Sequence, residues 1–295
     1  MKWWQELALG AYYTATLNAR RREATVRAAN GREPVIVLFY HRVADSHPND
    51  WTIDTETFAG QIRWLQERFD IVPLEEAQRR IDSGSNRWPT VAITFDDGYA
   101  DNCNFALPLL LREKIPFTYF VTTQNLCERT PFLHDLKAGQ PLQPNTPEEV
   151  AELAAAGVEI GAHSQTHVDL GQVKNTEELE REIVDCKAVV ESLVKRPVRY
   201  FAFPYGQAKN ITRKAFRMAF AAGYAGVCSA YGGYNFPGED AFHLQRIHGD
   251  REWIRFRNWL TLDPRKLKSV ARFDPGNYRK FPENFLGTPD PEFVG

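Results

Sequence analysis

The chain has 295 residues, with 36 basic and 38 acidic side chains and a formal net charge of -2. That length supports one large domain or two small ones, with a core that needs no disulfide or structural metal. The near balance of charge leaves no whole-chain basic field of the kind nucleic-acid binders carry, so no nucleic-acid partner is expected. Four scattered cysteines, Cys103, Cys127, Cys186 and Cys228, form no Cys-x-x-Cys pair. A zinc ribbon is thereby excluded, and reduced thiols are expected.

No apolar run reaches the roughly 18–20 residues of a membrane span. Residues 1–32 hold six basic and two acidic side chains, with Trp3 and Trp4 near the start. The uncharged stretch from Leu7 to Leu17 has some likeness to a secretory leader. Glu6, however, stands where the basic region belongs, Tyr12 and Tyr13 interrupt the apolar run, and no Ala-x-Ala site follows. The segment is read as an N-terminal helical extension, packed on the main domain or resting peripherally on an anionic membrane surface.

From residue 33 the pattern alternates. Val35–Tyr40 is a short, apolar, β-branched run and predicts a buried strand. Phe58, Ile62, Leu65 and Phe69 recur at helical spacing over Thr57–Phe69, and Leu74–Ile81 predicts a second helix. Val91–Phe95 and Phe117–Val121 predict buried strands on either side of a helix over Phe105–Leu111. Thr146-Pro147-Glu148-Glu149 opens a helix, with Thr146 as N-cap and Pro147 at the first helical position. A strand over Val158–Ala162 follows, then one long charged helix over Thr176–Lys195. Tyr200–Phe203 predicts a strand, Ile211–Ala222 a helix, and Ala225–Cys228 a last strand. This is an α/β fold with a mostly parallel sheet, open or closed into a barrel, in which chemistry belongs on the loops after the strands. Residues 263–295 hold five of the 18 prolines and read as an irregular tail, ordered by Phe273, Tyr278, Phe281 and Phe285. The expected organisation is an extension over 1–32, a catalytic domain over 33–262 and the tail over 263–295.

Four polar clusters follow predicted strands. Thr94-Phe95-Asp96-Asp97-Gly98 puts two adjacent carboxylates on one tight turn, where one can bind a cation while the other takes a proton. By itself the pair also suits a helix N-cap. His163-Ser164-Gln165-Thr166-His167 holds two histidines four apart, able to converge on a cation if the segment turns once. Two imidazoles and a carboxylate leave positions open for water and substrate, and such convergence at strand ends marks a metal site. Phe203-Pro204-Tyr205-Gly206 is a rigid turn suited to a substrate wall. His41, after the first strand, can serve as an acid near neutral pH, although a lone histidine there also reads as structural. Trp51, Trp88, Trp253 and Trp259 read as core or rim aromatics. His47, His134 and His243 receive no role.

In order and spacing, Thr94–Gly98, His163–His167 and Phe203–Gly206 resemble the first three motifs of the polysaccharide deacetylase family, the NodB homology domain of carbohydrate esterase family 4. The similarity covers roughly residues 35–250. It implies a distorted (β/α) barrel, a divalent metal, most commonly Zn2+, and hydrolysis of N-acetyl or sometimes O-acetyl groups on glycans. By position it makes Asp97, His163 and His167 the metal ligands and Asp96 the general base. Pro204, Tyr205 and Gly206 would line the substrate site, with the Tyr205 backbone N–H on the oxyanion.

Two departures matter. Many members carry arginine where this chain has Ala202; Arg199 is near in sequence, but Arg246 is the preferred replacement, acting on Asp96. The late Leu-x-x-His-Asp motif, which supplies the general acid, is matched only by Leu244-Gln245-Arg246-Ile247-His248-Gly249-Asp250, with one residue inserted. A subgroup of exopolysaccharide deacetylases, including those acting on poly-N-acetylglucosamine, begins with a Tyr-His strand end like Tyr40-His41 and uses that early histidine as the acid. The resemblance to this subgroup favours His41 over His248.

The expected function is metal-dependent removal of N-acetyl groups from an N-acetylhexosamine polymer or its precursor, as in exopolysaccharide biosynthesis. An acetylated glycan is the expected partner, with no obligate protein partner. The expected location is cytoplasmic or membrane-peripheral rather than secreted. The rivals are a deacetylase or amidase of another small or O-acetylated substrate, and an inactive glycan-binding scaffold on the same fold. A non-haem iron oxygenase would leave the doubled aspartate and the Pro-Tyr-Gly turn unexplained.

Overall fold

A computed structural model describes residues 2–269 and 272–280. In chain order its strands are β1 (Val35–Tyr40), β2 (Arg42–Val43), β3 (Thr52–Ile53), β4 (Asp70–Ile71), β5 (Thr90–Phe95), β6 (Phe117–Val121), β7 (Glu159–Ala162), β8 (Tyr200–Ala202), β9 (Gly226–Cys228), β10 (His243–Leu244) and β11 (Arg246–His248). The described residues form two compact units. The first holds those up to Thr94, Asp101–Phe117 and those from Gly232 to 269; the second holds Phe95–Ala100, Thr118–Tyr231 and 272–280.

In the first unit β5 lies beside β1, and β1 pairs in parallel with β11, with Phe39 opposite His248. β4 joins the other side of β5, with Asp70 opposite Thr90. Every residue of β1 and β5 is buried. Strands covered on both faces read as unbroken apolar runs, which is why Val-Ile-Val-Leu-Phe-Tyr carries no alternation. The helix over Thr55–Gln66 is capped by Asp54, whose carboxylate accepts from Thr57 N–H, and it buries Phe58, Ile62 and Leu65. Phe69 does not belong to that helix; the helix ends at Gln66, and Phe69 sits half-buried in the short link to β4.

The N-terminal helix runs over Trp3–Ala29 and is docked within the first unit. Buried Arg20 donates from Nη2 to Asn258 Oδ1 at 2.8 Å and from Nη1 to the Asn258 carbonyl at 3.1 Å. Tyr12 donates to Asp263 Oδ1 at 3.0 Å. Among the described residues no helix is long and apolar enough to cross a membrane.

In the second unit β6, β7, β8 and β9 form one parallel ladder, in which Val121 faces Ala162, Ala162 faces Phe201, and Ala202 faces Cys228. The helix over Pro147–Ala155 begins with the expected capping box, Thr146 accepting from Glu149 N–H and Glu149 accepting from Thr146 N–H. Cys186 and Cys228 are buried, and all four cysteines are free thiols.

Three expectations need correction. The long helix runs unbroken over Thr176–Val194 but is not α-helical throughout: Thr176–Glu180 and Cys186–Val194 are α-helical, and Arg181–Asp185 between them is a π-turn. Ala225–Cys228 is not the last strand, since β10 and β11 follow; both are too short to give a periodic signal. The tail is not wholly irregular, because Pro264–Ser269 is helical. Phe273 and Tyr278 pack on Phe216, with ring centroids 5.5 and 4.9 Å away. Phe281 and Phe285 lie outside the described residues.

Candidate active site

The second unit brings Asp97, His163 and His167 together, and one donor atom from each lies within 4.8 Å of the others. Asp97 Oδ1 is 3.3 Å from His163 Nε2 and 3.2 Å from His167 Nε2. Asp97 and His163 are buried and His167 nearly so, so the cluster is not a chance meeting of solvated side chains. His163 follows β7, and its Nδ1 lies 2.8 Å from the carbonyl oxygen of Ala202 at the end of β8. A proton held on Nδ1 by that carbonyl leaves the Nε2 lone pair directed at Asp97, the tautomer a metal ligand requires. Two imidazoles and one carboxylate with converging lone pairs fit a small divalent cation.

The backbone here is bent into conformations L-residues rarely adopt. Asp97, Ser164, His167 and Tyr205 have φ of 73°, 65°, 59° and 60°. Such residues persist only when their surroundings hold them. Gly98 N–H donates to the Asp96 carbonyl at 2.9 Å, and Asn145 N–H donates to the Gly98 carbonyl at 2.7 Å, which closes the aspartate turn. Ser164 Oγ accepts from His167 N–H at 3.0 Å, which supplies the single turn that sets the two histidines on one centre.

A buried carboxylate braces the histidine loop. Glu182 accepts from the backbone N–H groups of Gln165 and Thr166, each at 2.9 Å, and from Thr166 Oγ1 at 2.6 Å. It stands in the π-turn, and single π-turns recur at functional sites because they rotate a side chain off the helical register. Sequence reading missed Glu182. Its spacing from Leu179 and Cys186 was the available signal, since all three share the buried face.

Pro204, Tyr205 and Gly206 lie beside this cluster. Tyr205 is half exposed, and its ring centroid is 5.1 Å from that of His167. Partial burial, then the Asp169 and Asp97 carboxylates, push its phenol above the ordinary range, so it stays protonated at neutral pH. Gly206 is obligatory: its φ is +56°, and a Cβ there would sit 2.6 Å from the Ala230 backbone nitrogen. His134, which the sequence left without a role, belongs to the same surroundings. Its ring is 5.6 Å from that of His167, and Nε2 lies 3.0 Å from the Tyr99 hydroxyl, which donates to buried Asp135 at 2.9 Å.

Asp96 is buried at the start of the aspartate turn, next in the chain to Asp97. His41 and Arg246 belong to the first unit. His41 directly follows β1, and its ring is 5.9 Å from that of His248, with Phe39 against both. Both acid candidates line one cavity of about 310 Å³ together with Trp51, Asp250 and Arg255. Burial pushes the Asp250 carboxyl up to about 6, opposed by the Arg255 guanidinium and reinforced by Glu252. Arg246 is fully buried, donates to Thr94 Oγ1 at 3.0 Å and lies 4.8 Å over the Phe39 ring. Arg199 is occupied elsewhere, paired with Glu159.

Residues 83–225 match the family model for polysaccharide deacetylases. Over that segment, just under half of its length, the chain is similar to polysaccharide deacetylases. It is 24% identical over 181 residues to YxkH of Bacillus subtilis (strain 168), whose name gives polysaccharide deacetylase as a provisional assignment. That match covers 61% of this chain and 59% of YxkH, so the chain spans less than two thirds of this relative's length. The solved deacetylase PplD of Streptococcus pyogenes, in complex with acetate, superposes with a TM-score of 0.63 at 18% identity, over 78% of this chain and 98% of its own. IcaB of Ammonifex degensii superposes at 0.60 and 22% identity, again over 78% and 98%. These likenesses show the fold, the (β/α) barrel of the polysaccharide deacetylases. The matched segment contains Asp96, Asp97, His163, His167 and the Pro204–Gly206 turn, whereas His41 and Arg246 fall outside it. At Ala202, where the sequence resemblance leads one to expect arginine, the backbone carbonyl is the group that orients His163.

Proposed function

We propose that this chain is a metal-dependent hydrolase that removes N-acetyl groups from an N-acetylhexosamine-containing polysaccharide or its precursor, in the manner of the exopolysaccharide deacetylases. The observation that carries this reading is the buried convergence of Asp97, His163 and His167, with a second buried carboxylate, Asp96, next in the chain. Zn2+ is the preferred cation for a site of two imidazoles and one carboxylate. A divalent cation held there supplies Lewis-acid polarisation of the acetyl carbonyl and lowers the pKa of water.

The chain's own residues then divide the work. Asp96 takes the proton of the attacking water as general base. The Tyr205 backbone N–H donates to the oxyanion that develops from the acetyl carbonyl, and the Tyr205 ring forms a wall for the sugar. His41 gives a proton to the leaving amine, and Arg246 supports the ionised form of Asp96. Acetate, the molecule bound to PplD, is the product such a reaction releases. Exposed Trp3 and Trp4 beside Lys2 support peripheral membrane contact, which suits a membrane-linked precursor.

The test is acetate release by zinc-loaded protein from N-acetylglucosamine oligomers and acetylated xylan, with Asp96→Asn as control. Release from the aminosugar oligomers that disappears in the control supports the reading. Release from xylan alone moves the activity to O-acetyl esters, and glycan affinity without release identifies an inactive scaffold.

A further inference from the structure

Between the N-terminal helix and the rest of the first unit lies a hollow of about 430 Å³, within the usual size range of ligand pockets. The helix contributes Tyr13, Leu17, Arg20, Ala24 and Arg27, spaced four, three, four and three, so one stripe of the helix faces it. Trp64, Ile36, Leu260 and Leu262 form an apolar floor of buried side chains.

The charge of this hollow is one-sided. Five arginines line it (Arg20, Arg21, Arg27, Arg68 and Arg257) against one carboxylate, Glu33. Arg27 pairs with Glu33 and Glu23, and Arg68 pairs with Glu67. Arg20 is 3% exposed, and its hydrogen-bond acceptors, Asn258, Thr261 and Thr16, are all neutral. Among the described residues no carboxylate is within ion-pair reach of Arg20, Arg21 or Arg257. The Arg20 guanidinium also lies 5.2 and 5.6 Å from the ring centroids of Tyr12 and Tyr13, so it meets neutral dipoles and aromatic faces, and an anion nearby would add the opposite charge that its buried position lacks. Two exposed guanidinia on the same lining supply the forked donors that suit a phosphate with its several acceptor oxygens.

We propose that this hollow binds a single-chain amphiphile with a monophosphate head. The head lies on Arg21 and Arg257 in the field of Arg20, and the chain runs over Tyr13, Leu17, Trp64 and Leu260. The site uses none of the residues assigned to deacetylation and does not rest on that reading.

The test is calorimetric titration of the full chain with decyl phosphate below its micelle concentration, beside inorganic phosphate, decanoate and neutral decyl maltoside. Decyl phosphate should bind at least about tenfold more tightly than each of the other three, a difference well resolved by titration. Arg21→Glu combined with Arg257→Glu should weaken it by about tenfold or more with the unfolding temperature retained, while Arg22→Glu, exposed and outside the lining, should not. Leu17→Trp, which narrows the apolar wall, should weaken it with the charges intact. Equal binding of decyl maltoside would reduce the hollow to an apolar groove. Equal binding of inorganic phosphate would reduce it to an ion site, and tighter binding of decanoate would assign it to a carboxylate. Any of these, or indifference to the double charge reversal, overturns the proposal.

Discussion

The Nδ1 of His163 lies 2.8 Å from the carbonyl oxygen of Ala202, so the end of one parallel strand sets the tautomer of a histidine at the end of its neighbour. A backbone carbonyl cannot be mutated away, which makes this orientation independent of the side chain at position 202. Ala202→Gly is therefore expected to keep metal binding, whereas His163→Ala and Asp97→Asn, at two of the three proposed ligands, should lower zinc affinity and acetate release by at least about a hundredfold. Zinc content by mass spectrometry after gel filtration checks the first effect separately from activity.

Glu182 holds two backbone donors and one hydroxyl of the histidine loop. Glu182→Ala takes the acceptor away from three part-buried donors, and each donor left unsatisfied costs about 1–3 kcal/mol. The variant should lose about 2–4 kcal/mol of stability in urea unfolding, given partial relaxation of the loop. Its zinc affinity should fall by about ten- to a hundredfold, as for other groups that position a metal ligand. A Glu182→Ala protein with native metal affinity would show that the loop is held some other way.

Gly206 has no room for a side chain. A Cβ would lie 2.6 Å from both the Cβ and the backbone nitrogen of Ala230, at a φ of +56°. Gly206→Ala should cost about 2–4 kcal/mol, the sum of left-handed strain and overpacking. The displaced turn also carries Tyr205, so turnover should fall more than thermal stability alone explains.

Burial pushes the Asp250 carboxyl up to about 6, so the folded chain holds a proton that the unfolded chain has released. Between the ordinary carboxylate range near pH 4 and about pH 6, the native state binds more protons than the unfolded state, and stability falls as pH rises. Asp250→Asn should remove this slope, being more stable than the parent at pH 7 and indistinguishable from it below about pH 4. Unfolding free energies at pH 3.5, 5 and 7 decide the point.

His41 and His248 share a cavity, with their rings 5.9 Å apart. If His41 is the acid, His41→Ala loses about a hundredfold or more of turnover while it retains zinc, and His248→Ala loses less than about tenfold. The reverse ranking assigns the acid to β11. A double substitution cycle of Asp96 and Arg246 tests the second assignment, since additive effects on turnover would separate the two residues.

The sequence by itself placed the longer parallel strands and singled out Asp97, His163 and His167, the three side chains that the fold brings together. Val35–Tyr40 and Phe117–Val121 matched residue for residue, because a strand buried on both faces reads as a nearly continuous apolar run, broken here only by Thr118. The doubled aspartate, the paired histidines and the Pro-Tyr-Gly turn were legible because each falls on a few consecutive residues at a strand end. The tertiary structure alone decided what holds them. Glu182 lies 16 residues beyond Thr166, the Ala202 carbonyl 39 residues beyond His163, and His134 was an isolated histidine until the fold placed its ring beside His167. The strand over Arg246–His248 and its register against Phe39 were equally invisible, since three residues carry no period. Supporting groups act through space and leave no local pattern, whereas ligands and turns are written in adjacent residues.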